Sequence, residues 1–582
     1  MKATANLKTA PTMGAPHERA PARGRGTAAA AILREAAAAG ITHFFGIPGG
    51  ALAAFLSALA SLTGGVIRSV LAGHEIAAGS FAEGAARGTG RIQGCYVTAG
   101  PGVAHLVAAL HSARANQIPM LVIAGEPPLA HWGRDPAQAL DAVRLLDNRE
   151  LTKACERLLD PRRAAERVRY LLHVAQNGIP GPVVFVLPAD VGLAEVDIDA
   201  LAPVPSFDRR DGVELILNAY ERKQSIGILV GSGAALSGAG PACVALAETL
   251  HCPLATTARA KSTVPETHRL AVGPWGFAST DSADAAVGDR AQLLLVVGSG
   301  AGELATGGYD PRLATKRILQ IDARPERLGA NLPLTVGIAG DARRCVEWLV
   351  GQLTRAGLRR KELALPIADP GKASVQPAWL DTAGMHDDTL PLKPQRVMGL
   401  LNELVPARVP YFCDIGNTMM YAINRLVRTE PNTFHWDGHS GRMGHSTAGI
   451  GAAIATGRPV VILTGDAALK MVMGEIHTAA EYRAPAVIVV LNDSGHGMVC
   501  AGMKAARLPS PDYRYGSRVD FAKVAAALGA RAFTIETAAD FAQAMQRALR
   551  GRGPTVLDVL VDPRETPPME KRLRALRGET AT

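Results

Sequence analysis

One pattern recurs along most of the chain: a short run rich in Val, Ile and Leu, a turn carrying Gly, Pro or Asp, then an Ala-rich stretch with helical spacing of its apolar positions. Short apolar runs alternating with amphipathic segments are the mark of βα units, in which strands of a parallel sheet are covered on both faces. The strand candidates are 94–99, 120–124 and 182–187 in the first third, 226–230, 293–297 and 317–321 in the middle, and 460–464, 487–491 and 556–561 in the last. Periodicity fails where Pro, Asp and Gly collect, around 190–212 and 360–392. The pattern therefore predicts an α/β protein of three doubly wound parallel-sheet domains, at 27–190, 205–352 and 391–563, with a linker over 353–390. Residues 1–26 and 564–582 are expected to be tails, the first without fixed structure.

Composition narrows this little. A chain of 582 residues, 48% of them hydrophobic, can bury several cores. The net charge of +9 is concentrated at the two ends, where Lys2, Lys8, Arg19, Arg23, Arg25 and Arg564, Lys571, Arg572, Arg574, Arg577 lack interleaved aromatics. That is the composition of solvated ends rather than of a nucleic-acid surface, and no nucleic-acid partner is expected. No apolar run reaches the length of a membrane span, and the N-terminal segment lacks the apolar core of a signal peptide, so a cytoplasmic protein without a membrane partner is expected. The seven cysteines are scattered with no Cys-x-x-Cys pair and read as reduced thiols.

The chemistry concentrates between 460 and 500. An apolar strand runs into Gly465-Asp466-Ala467 and a helix, and a second strand ends in Asn492-Asp493. This unit places Asp466 and Asp493 at the carboxyl ends of neighbouring parallel strands, the edge at which doubly wound sheets bind ligands. Two hard oxygen ligands there suit magnesium, which completes its octahedron with phosphate oxygens and water, and the first amides of the following helix favour the same anion. Taken singly, Asp466 is an ordinary helix cap and Asn492-Asp493 an ordinary turn; together they read as a diphosphate–magnesium site.

These residues resemble the motif of thiamine-diphosphate enzymes, with Ala467 for the third Gly and Asp493 for the second Asn. Two further stretches resemble the acetolactate synthase group in the same order: Gly46-Ile47-Pro48-Gly49-Gly50, His74-Glu75 and Gly100-Pro101-Gly102 near the start, and Arg442-Met443-Gly444 ahead of the strand at 460. The resemblance covers roughly 27–562 and implies pyrimidine-binding, central and diphosphate-binding domains. It also implies the cofactors thiamine diphosphate and Mg2+, with Asp466, Asp493 and the Gly495 carbonyl on the metal. Gly50, Pro101, Gly416, Asn417, Met443, Gly465, Ala467, Ala468 and Met498 would touch the cofactor, Met443 as the wedge between its two rings. Glu75 would exchange a proton with the aminopyrimidine, a task that needs a buried carboxyl group.

Gln138 matches a substrate-side family residue. Three other positions depart from acetolactate synthases: His105 stands for Asn, Ala137 for Phe and Gly502 for Trp, which implies a reshaped acceptor pocket. His105 is a candidate acid–base group or an ordinary hydrogen-bonding histidine, and His496 carries the same alternatives. Gly298-Ser299-Gly300-Ala301-Gly302-Glu303-Leu304 stands where flavin-binding members of the family carry their Arg-Phe-Asp-Asp-Arg run, so no tightly bound FAD is expected, while Gly231-Ser232-Gly233 is either a phosphate cradle or a plain turn. The expected activity is decarboxylation of a small 2-oxo acid with transfer of the acyl-anion equivalent to an aldehyde or oxo-acid acceptor. The alternatives are simple decarboxylation and, in another class, a non-catalytic cofactor-binding regulator. The resemblance also implies a homodimer or homotetramer, because family sites join the pyrimidine domain of one chain to the diphosphate domain of another.

Overall fold

The computed structural model describes residues 25–567 apart from 63–65, 177, 198–209, 325–326, 330, 333, 360–375, 439 and 510–512. Residues 1–24 and 568–582 of the expected tails, and 198–209 and 360–375 of the expected linkers, lie outside the described residues. Three six-stranded sheets form the body, parallel throughout. The first and third share one strand order, 2-1-3-4-6-5 when strands are numbered within each sheet, whereas the middle sheet has the order 3-2-1-4-5-6. A small antiparallel ribbon pairs Arg25–Thr27 with Glu195–Asp197, so Arg25 and Gly26, assigned to the tail by sequence, are part of the fold.

The nine strand candidates fall in the structure at the third, fourth and fifth places of each sheet. Ile226–Val230 and Leu293–Val297 match residue for residue; 94–99 shifts to Gln93–Val97 because Thr98 to Gly100 already turn into the next helix. Inner strands such as Val460–Gly465 are apolar on both faces and announce themselves. Edge strands such as Arg68–Leu71 and Arg531–Ile535 are short and half exposed, so their sequences carry no continuous apolar run.

The first and third sheets are joined through two crossing helices, Glu75–Thr89 and Thr447–Thr456. The crossing is close enough that a Cβ on Gly84 would lie 1.6 Å from the Ala448 carbonyl oxygen, and one on Gly451 2.2 Å from that of Phe81. Beside it lies a buried polar network. Ser112 Oγ donates to Glu83 Oε2 at 2.9 Å, Asn116 Nδ2 donates to Asp437 Oδ1 at 2.9 Å, and His445 lies 3.6 Å from Glu83. Most polar groups removed from water here bond across the domain boundary, while Asn116 Oδ1 and His445 Nε2 have no hydrogen-bond partner among the described residues.

Candidate active site

Strand Val460–Gly465 pairs in parallel with Ala486–Asn492, Gly465 opposite Leu491, which brings Asp466 and Asp493 to adjacent strand tips. Asp466 is the first residue of helix Asp466–Val472. Its Oδ1 accepts from the Ala467 amide at 2.7 Å and its Oδ2 from the Gly495 amide at 2.9 Å. Burial, reinforced by the charge of Asp493, pushes the Asp466 carboxyl up to about 7; burial also raises Asp493. Two acids held together in a cleft repel each other until a cation joins them.

The surroundings fit such a cation. Ser494 adopts the left-handed conformation, and the bridge between Gly495 and Arg514 is made through Tyr515 N to Ser494 O and His496 N to Tyr513 O, leaving the Gly495 carbonyl out of the ladder. A Cβ on Gly497 would lie 2.1 Å from Asp493 Oδ2 and 2.9 Å from Asn417 Nδ2, so only glycine admits both side chains. Asn417 Oδ1 is buried and, among the described residues, has no hydrogen-bond partner, as an acceptor facing a ligand would be. All-oxygen donors of this kind suit magnesium rather than a softer metal.

A cavity of about 670 Å³ opens over these groups. Gly416, Asn417, Met443, Gly465, Asp466, Ala467, Ala468, Asp493, Gly495 and Met498 all line it, as does His496, whose ring meets that of Tyr515 edge-on at 6.0 Å. Gly502 lines the cavity too, as do Val499, Met503 and Leu508. Asp414 opens the loop Asp414-Ile415-Gly416-Asn417, which resembles a family loop whose backbone touches the diphosphate, and its buried carboxylate, for which the sequence offered no role, ties the rim together: it accepts from Gly444 N and Ile415 N, each at 3.0 Å, and from Thr464 Oγ1 at 3.0 Å. This fixes the positions of Met443, Gly416 and Gly465 relative to one another. Glu565, assigned to a tail by sequence, also lines the cavity, held by Gln395 Nε2 at 2.7 Å. A single charged residue past the last strand carries no sequence signal for that placement.

The remaining candidates gather at the carboxyl edge of the first sheet. Glu75 opens its helix and is 8% exposed; Pro101 opens the next helix, Pro101–Ala115, and Gly50 begins a short turn after strand His43–Gly46. His105 Nδ1 lies 3.1 Å from Glu75 Oε2. Gln138 packs on Gly100, where an added Cβ would meet Gln138 Cβ at 3.0 Å. None of these residues lines the cavity over Asp466. In the middle sheet the Gly233 amide donates to the Gly298 carbonyl at 2.8 Å, so that amide of the possible phosphate cradle is already used within the turn.

Comparison with known proteins assigns the three domains. Residues 26–145, 213–349 and 414–559 match, respectively, the N-terminal TPP binding domain, the central domain and the C-terminal TPP binding domain of thiamine pyrophosphate enzymes. The chain belongs to the thiamine pyrophosphate enzymes. It is 30% identical over 564 residues to a probable acetolactate synthase large subunit of Methanocaldococcus jannaschii, covering 93% of each chain. It is 27% identical over 557 residues to a glyoxylate carboligase of Escherichia coli O157:H7, covering 90% of this chain and 91% of that one. A thiamine diphosphate-dependent 4-hydroxybenzoylformate decarboxylase of Rhodococcus jostii RHA1 shares the fold at a TM-score of 0.78 and 21% identity, over 92% of this chain and 99% of that one. The protein is thus a thiamine-diphosphate-dependent enzyme of the acetolactate synthase-like group. Among the described residues no helix is long and apolar enough to cross a membrane.

Proposed function

We propose that this enzyme binds thiamine diphosphate with magnesium, decarboxylates a small 2-oxo acid and passes the resulting acyl-anion equivalent to an aldehyde or oxo-acid acceptor. The observation that carries the reading is the pairing of Asp466 and Asp493 at neighbouring strand tips above a cavity rimmed by helix-start amides. Thiamine diphosphate, when bound, supplies the electron sink for loss of carbon dioxide. Asp466, Asp493 and the Gly495 carbonyl would hold the magnesium, and the helix starts at Ala467 and Asn417 would face the diphosphate. Met443 would keep the two rings bent, and Glu75 would hold and move the proton at the aminopyrimidine. Gln138 and His105 stand on the substrate side. The half-sites lie on different sheets of one chain, which supports a homo-oligomer in which each site is completed by a second copy.

Binding and chemistry are tested separately. Calorimetry should show thiamine diphosphate binding that requires magnesium and weakens roughly 100-fold, about 2.7 kcal/mol, in Asp466→Asn. A donor-by-acceptor screen read by product mass should then give ligated products that Glu75→Gln abolishes. Aldehyde alone would assign simple decarboxylation, and equal, negligible turnover of both proteins across a broad panel would assign a regulator and sink the reading.

A further inference from the structure

Glu75 has to gain and lose a proton in each turnover, yet its side chain is only 11% exposed. Its Oε1 sits 3.4 Å from where a Cβ on Gly102 would lie, and among the described residues Oε1 accepts no hydrogen bond. Its Oε2 is engaged by His105 Nδ1 at 3.1 Å, and the His105 side chain is 51% exposed. One ring therefore touches the buried carboxyl through one nitrogen, lies beside that of His74 and leaves about half of its side chain exposed in the single chain.

The other groups facing Glu75 are unsuited to carry its proton. His74 Nδ1 is 3.8 Å from Oε2, but that nitrogen accepts the Ile76 amide at 3.2 Å and has no proton to give while it does so. Its ring lies against that of His105, centroids 4.9 Å apart, which braces the His105 ring. The Cys95 thiol is buried, and burial together with the charge of Glu75 raises its pKa, so it stays protonated. Glu475, across the domain boundary, is occupied by the Gly73 amide at 3.2 Å and Thr478 Oγ1 at 2.8 Å.

We propose that His105 is the proton relay between Glu75 and solvent, a positioning residue that acts through Glu75; this rests on the function proposed above. When Glu75 gives its carboxyl proton to the aminopyrimidine, the carboxylate takes the Nδ1 proton of His105. An O–H bond forms as an N–H bond breaks. Nε2 takes a proton from water or buffer in the same event, so the ring ends as the other neutral tautomer. Later in the turnover the proton returns by the reverse path and the ring recovers its first tautomer, with no net change and no oxidant or reductant.

The test follows exchange of the C2 hydrogen of the bound cofactor for deuterium in the holoenzyme, with 15N-histidine NMR of the cofactor-free protein beside it. His105→Asn and His105→Gln should each slow exchange by roughly 10- to 100-fold at unchanged cofactor affinity, and added imidazole should restore it. In the cofactor-free protein, Glu75→Gln should change the balance of Nδ1–H and Nε2–H tautomers of His105 read from its 15N shifts, because the Nδ1 partner at 3.1 Å is altered. Wild-type exchange rates in both variants, slow exchange that imidazole does not restore, or a His105 tautomer balance indifferent to Glu75→Gln would each overturn the relay. Failure of the parent function looks different: the wild-type protein then neither binds thiamine diphosphate nor exchanges its hydrogen, and the 15N shifts alone decide whether the two groups share a hydrogen bond.

Discussion

At the scale of the residue, charge is what the site must manage. In the cofactor-free protein Asp466 titrates near 7 through burial and the charge of Asp493. Magnesium has to displace that proton below pH 7, so its affinity should fall about tenfold per pH unit below 7 and level off above it. Calorimetric titrations from pH 5.5 to 8 check this, and in Asp493→Asn the break should move to lower pH. Two buried histidines act on stability instead. Burial, then Arg68, lowers His43 to about 4; burial, then Arg87, lowers His435 to about 3. The unfolded chain takes up these protons near 6.5 while the folded one does not. Their contribution is therefore complete above 6.5 and is lost as pH falls toward 4 for His43 and toward 3 for His435, at about 1.4 kcal/mol per pH unit for each histidine. Urea unfolding of the cofactor-free protein at pH 7 and 5 should show the loss, and His435→Phe should remove one histidine's share of the slope.

At the scale of the element, small residues decide how the sheets are joined. The helices Glu75–Thr89 and Thr447–Thr456 touch backbone to backbone only because Gly84 and Gly451 have no side chain. Gly84→Ala and Gly451→Ala should each cost about 3 kcal/mol or more, the upper end for overpacking, because backbone atoms cannot rotate aside. Gly351, inside helix Ala342–Arg355, meets nothing within 4 Å, so Gly351→Ala should instead stabilise by about 0.4–1 kcal/mol. Chemical denaturation of the three variants separates the two signs. The same elements show what the sequence makes legible: inner strands are covered on both faces and read as apolar runs, whereas Val336–Ala339 and Ala154–Arg157 at sheet edges mix faces and lengths and leave no such trace.

At the scale of the whole molecule, the question is which chain completes which site. The cavity over Asp466 is lined by residues from 394 to 565, and Glu75 is not among them. If each site takes Glu75 from one chain and Asp466 from another, mixing the inactive Glu75→Gln and Asp466→Asn proteins should restore activity. Each mixed dimer then carries one intact site, and random reassortment returns about a quarter of wild-type activity. A site built within one chain gives none. Activity of subunits exchanged after mild dissociation, compared with each variant alone, is the measurement.

The sequence by itself determined the parallel α/β class, the third, fourth and fifth strands across each of the three sheets, and the placing of Asp466 and Asp493 at neighbouring strand tips. Those features depend on what neighbours along the chain: apolar runs, a turn glycine, an acid at a strand end. Only the tertiary structure decided that Asp414 laces three loops of the rim together, that Glu565 returns to the cavity and that His105 reaches Glu75. Each joins segments far apart in sequence, and a hydrogen bond across such a distance leaves no periodicity to read. Its partner is chosen by the packing of sheets and helices, not by the residue's own neighbours.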